Sequence, residues 1–272
     1  MKIFCVASLL CSSFLVGCGG GGAPLQEASV PRTPTSQPTP QVTLDENWHF
    51  DSLADSQFSI EAALGRDAGT VEGKAYINDS SQCFWVTNKA GTQMALASLA
   101  GTIDAQGEVS MKSESINGRI LTITGTMAAD GSSLTAAQYQ ISGCGDTKQG
   151  DLEARKYKPL TGTYLGVLVL NGENLNTTLE VTQAAKANVD SLSTNEAFSL
   201  TGTLTISGVH CSENWTLSHS DLLGNKLALQ PADGPEGSIN GSMDPDAMTL
   251  NLESYPYDDD CSVGASGTLQ KQ

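Results

Sequence analysis

The chain has 272 residues, 39% of them apolar and only 16% charged, and its 14 Lys and Arg stand against 30 Asp and Glu for a formal charge of −16. The apolar content is enough for a core, while low charge with abundant Ser, Thr, Asn and Gln suits strands and turns rather than Glu/Lys-rich helices. Contact with a phosphate backbone needs clustered basic residues, so this charge balance excludes nucleic acid as a partner.

Residues 1–17 open with one basic residue, Lys2, and continue as an apolar run from Ile3 to Val16. A membrane-spanning helix needs about 20 apolar residues, so the layout is that of a secretory signal peptide. The run ends Leu15-Val16-Gly17-Cys18, which resembles the lipobox of bacterial lipoproteins. Cys5 and Cys11 lie in the same segment, but only Cys18 has the lipobox before it. The resemblance implies that residues 1–17 are removed and that Cys18 becomes an N-terminus carrying three acyl chains, the chain's link to a membrane. It also implies that the folded part lies outside the cytoplasm, in the cell envelope. Gly19 in place of Asp after the cysteine implies the outer membrane in a Gram-negative envelope. Each acyl carbon contributes about 0.8 kcal/mol of membrane affinity, and two or more chains make the anchor stable.

Residues 18–43 form the next segment. After Cys18, residues 19–43 hold five of the 10 prolines and almost no large apolar side chains, a composition that cannot bury enough surface to fold. The segment reads as a tether that spans at most about 78 Å in polyproline II form and roughly 25–30 Å as a flexible coil. Without the signal segment, 30 acidic and 13 basic residues leave −17, so the body is not expected to lie flat on anionic lipid.

The remainder aligns with itself as two units, 44–157 and 160–270. Trp48 near the start of the first answers to Tyr164 in the second, and Gly73 precedes Cys83 by 10 residues as Gly202 precedes Cys211 by 9. A tryptophan follows each of these cysteines, Trp85 and Trp215. Gly125 precedes Cys144 by 19 residues and Gly241 precedes Cys261 by 20, while Gly150 and Gly267 each follow their cysteine by 6. So many landmarks in one register mark two copies of one domain. The repeat also selects one of three cysteine pairings: Cys83 with Cys144 and Cys211 with Cys261 close each unit in the same way, in an exported protein where disulfides are permitted. With no CxxC spacing, neither a metal nor a redox site is indicated.

Each unit reads as strands rich in Thr, Val, Leu and Ile, separated by Asn-Gly, Asp-Gly and similar turns. In the second unit strands are expected near 162–170, 176–183, 197–207, 210–218, 225–230, 236–243, 247–255 and 261–270. The first gives 57–64, 70–77, 82–87, 120–124 and 134–141, with alanine-rich Met94 to Ala100 ambiguous. The fold class is therefore all-β, two tandem antiparallel meander domains of about eight strands each. With Leu160-Thr-Gly-Thr-Tyr164-Leu-Gly166 at a strand opening, this meander resembles the up-and-down barrels of the avidin and lipocalin type. Yet Cys211 and Cys261 would begin the fourth and eighth strands, on opposite sides of a round barrel, whereas a disulfide needs Cα atoms within about 7 Å. A flattened barrel and a β-sandwich both stay open.

Three functional classes follow. The first is a non-enzymatic envelope lipoprotein that binds or scaffolds an unknown partner, as in lipoproteins with tandem Gly/Thr-rich β-domains, which the whole chain resembles. The second is a barrel holding a small apolar ligand in a pocket lined by Trp48, Trp85, Tyr164 and Trp215, although the recurrence of Trp85 and Trp215 close to the half-cystines favours core packing against the disulfides for those two. The third is a hydrolase, which needs His and carboxylates converging in one cleft. The imidazoles are His49, His210 and His219, and no Gly-x-Ser-x-Gly or His-Glu-x-x-His motif accompanies them. His210 reads as a turn residue. Glu213 with Asp221 offers a carboxylate pair of the kind glycosidases use. Asp244, Asp246, Asp258, Asp259 and Asp260 lack the spacing of a calcium loop and read as a solvated acidic face. No motif calls for a cofactor or a metal.

Overall fold

Alternation of apolar and polar residues over short runs, broken in places by glycine turns, builds most of the regular elements. In the computed structural model, which describes residues 42–56, 58–79, 83, 86–87, 93–145, 148–185, 197–207, 214–230, 238–254 and 264–272, these elements are all strands. The first repeat contains β1 (Glu46–Ser52), β2 (Phe58–Asp67), β3 (Thr70–Asp79), β4 (Val86–Thr87), β5 (Gln93–Ile103), β6 (Glu108–Ser113), β7 (Ile120–Met127), β8 (Ser133–Ser142) and β9 (Lys148–Tyr157). The second contains β10 (Gly162–Leu170), β11 (Glu173–Ala185), β12 (Phe198–Ile206), β13 (Asn214–Leu223), β14 (Lys226–Leu229), β15 (Ile239–Met243), β16 (Thr249–Ser254) and β17 (Ser266–Lys271).

Both sheets close. In the first, β3 pairs with β5 and β1 with β9, so eight antiparallel strands form a ring with the two-residue β4 added beside β5. In the second, β10 to β17 follow one another around a closed barrel. Closure removes the unpaired edges that would otherwise invite pairing with another chain, and it excludes the sandwich. Burial alternates as a barrel wall requires: along β6, Val109, Met111 and Ser113 are buried while Glu108, Ser110 and Lys112 are exposed.

The repeat landmarks fall on equivalent strands: Gly73 on β3 and Gly202 on β12, Gly125 on β7 and Gly241 on β15, Gly150 on β9 and Gly267 on β17. Close approach of neighbouring backbones explains the glycines. A Cβ at Gly202 would lie 1.9 Å from the Glu180 carbonyl oxygen, and one at Gly267 would lie 2.1 Å from that of Val167.

One expectation needs correction. The wall strand after Cys83 is β5, built from the alanine-rich segment, and the described residues of 82–87 contribute the two-residue β4. Cys211 and Cys261, expected at the starts of strands, lie outside the described residues. In the first barrel the connections after β3 and after β8 leave the same end, and Cys83 and Cys144 are bonded there with Cα atoms 5.5 Å apart. A bond between connections can reach across a mouth that wall residues could not span.

The barrels meet side to end. Ile60 to Leu64 of β2 are buried on both faces of the strand, because the outward residues are covered too. Ala63, Tyr76 and Tyr157 on the outer wall of the first barrel belong to the apolar cluster that fills the second, together with the linker residue Leu160.

Candidate functional site

Of the residues expected to line a ligand pocket, Trp48 and Tyr164 lie in the barrel interiors. Trp48 is 1% exposed and Tyr164 is 0% exposed. An eight-stranded barrel is just wide enough either to be filled by side chains or to hold one small ligand, and at these two rings it is filled. The Trp48 indole donates to Glu46 Oε2 at 3.1 Å, and the Tyr164 hydroxyl donates to the Ala247 carbonyl at 2.7 Å. The two rings hold equivalent places, since Trp48 lies opposite Lys156 on β9 and Tyr164 opposite Lys271 on β17. Burial, with Asp244 nearby, pushes the Tyr164 phenol up to about 12. Trp215 is partly buried against the second core. Trp85 lies outside the described residues, as do Cys18, Cys211, Cys261, His210, Glu213 and Asp258 to Asp260.

Beside the Cys83–Cys144 bond, Lys148 reaches Asp79 at 2.8 Å and Asp55 at 3.1 Å and sits 5.0 Å from the centre of the Phe58 ring. Burial alone would lower the pKa of this ammonium, but the two carboxylates outweigh it and hold the group above its ordinary value. The remaining acids serve local structure. Asp244 caps the β15–β16 turn by accepting from the backbone N–H groups of Met248 and Thr249, and Asp246 pairs with Lys158 at 2.7 Å. Asp221 is partly buried on β13 and His219 is exposed.

A buried polar cluster at the junction joins His49 to Asn47 and Glu61, which the sequence did not single out. Asn47, His49 and Asp51 project outward from β1, and Glu61 outward from β2. Asn47 is 2% exposed and brackets the tip of the β13–β14 turn: its Nδ2 donates to the Gly224 carbonyl at 2.8 Å, and its Oδ1 accepts from the Gly224 N–H at 2.6 Å. Gly224 has φ +60, and a Cβ there would lie 2.3 Å from Glu61 Cγ. Glu61, 1% exposed, pairs with Lys226 at 2.9 Å and accepts from Asn78 at 2.9 Å. His49 places Nε2 2.8 Å from Asp51 and Nδ1 3.6 Å from Glu61, with the Tyr157 ring edge-on at 5.9 Å. Burial, and then Asp51, pushes the Tyr157 phenol up to about 12.

Here a histidine and two carboxylates do converge, yet the imidazole is 6% exposed and each nitrogen faces a carboxylate. The ring is held by groups of the first barrel, Asp51, Glu61 and Tyr157, and the ties to the second barrel are made by Asn47 and Glu61. Among the described residues no group of three or more His, Cys, Asp or Glu is arranged to hold a metal ion. One signal for the junction was legible: Glu61 interrupts the apolar run from Phe58 to Leu64, and a charge inside a strand buried on both faces needs a partner from another element.

Beside the junction runs an open groove of about 790 Å³ between the β8–β9 face of the first barrel and the β15–β16 turn of the second. Leu53, Ser132, Arg155, Tyr157, Lys158 and Pro245 are among its lining residues. Opposite charges within it are paired, Arg155 with Glu153 at 2.5 Å and Lys158 with Asp246. No protein-family model, no curated protein and no solved structure matches this chain.

Proposed function

We propose that the chain is a non-enzymatic lipoprotein of the cell envelope, anchored through Cys18 in the outer membrane, whose paired barrels bind or scaffold a partner with their outer surface. The observation that carries the outer-surface part is the packing of Trp48 and Tyr164, which leaves these positions no room for a ligand. The junction groove and the barrel walls then offer the surfaces available for binding. The anchoring part rests on the Leu15-Val16-Gly17-Cys18 motif and the proline-rich stretch after it.

Two measurements test the halves separately. Cys18→Ala in the full chain is expected to move the protein from the membrane fraction to the soluble one, and an unchanged distribution contradicts the anchor. Titration of the purified protein with an environment-sensitive apolar dye is expected to give no saturable signal at micromolar concentration. Stoichiometric binding that Trp48→Phe weakens would instead support a ligand-carrying barrel.

A further inference from the structure

We draw no further inference here: the strongest candidate, the open groove between the β8–β9 face of the first barrel and the β15–β16 turn of the second, belongs to the junction already described, its Arg155 and Lys158 are paired with Glu153 and Asp246, and nothing in the structure shows what covers it.

Discussion

Asn47→Ala is the sharpest perturbation of the junction. The carboxamide makes two reciprocal hydrogen bonds to Gly224, 177 residues away in sequence, in a buried setting. Each bond contributes about 0.5–1.5 kcal/mol net, and a buried backbone group left without a partner costs about 1–3 kcal/mol. Water entering the space left by the carboxamide recovers part of the loss, so the expected destabilisation is about 2–4 kcal/mol. For a body of this size, 1 kcal/mol moves the melting temperature by about 2–4 °C, which gives a fall of roughly 4–16 °C. Because the bonds join the barrels, the variant should also lose coupling. Urea unfolding followed by tryptophan fluorescence and by far-UV circular dichroism should give coincident curves for the parent chain and separated curves for Asn47→Ala. Asn176→Ala, exposed on the second barrel, is the matched control and should change stability by less than about 0.5 kcal/mol. An Asn47→Ala protein within about 0.5 kcal/mol of the parent, with coincident curves, would refute the claim that this contact locks the barrels.

The Cys83–Cys144 bond closes 61 residues of sequence separation, so replacing both cysteines by Ser should cost at most about 4 kcal/mol by the chain-entropy estimate; differential scanning calorimetry should show the loss, and an unchanged profile contradicts it. Gly202→Ala combines φ +148 with a Cβ 1.9 Å from the Glu180 carbonyl and should prevent folding of the second barrel, whereas Gly264→Ala, with open space around it, should leave solubility and circular dichroism unchanged. Tyr157 and Tyr164 should ionise near pH 12, after the ordinary tyrosines near pH 10, in a titration of phenolate absorbance. Because the folded-state values are raised, their contribution to stability is complete below pH 10 and lost as the pH rises towards 12. Urea midpoints at pH 9 and 11.5 should therefore diverge less in Tyr164→Phe than in the parent chain.

Local physics made much of the fold legible. Strands of the second barrel fall close to their expected positions because short alternating runs such as Leu200 to Ile206 face a core on one side and solvent on the other. The glycine landmarks were recognisable as a repeat, and their cause, backbones approaching within a Cβ radius, appears once the barrels close. Met94 to Ala100 was ambiguous because alanine favours neither period strongly; its membership in β5 is fixed by pairing with β3, a contact between residues more than twenty positions apart for most of its length. The junction was hidden for a related reason. Asn47 belongs to no motif and Glu61 shows only as a charge within an apolar run, and their partners, Gly224 and Lys226, come from the second repeat. Trp48 and Tyr164 were offered as the lining of an interior pocket and are buried rings; whether such a ring lines a chamber or fills it depends on volumes contributed by neighbouring strands.

The proposed function joins a disulfide-stabilised double barrel to a lipidated N-terminus. The intact mass of the protein purified in detergent from its native membrane, measured before and after reduction and alkylation, tests both together. The expected mass equals residues 18–272 plus a diacylglycerol and one further acyl chain, with four thiols that become alkylatable only on reduction. An unacylated mass, or thiols reactive from the outset, would contradict it.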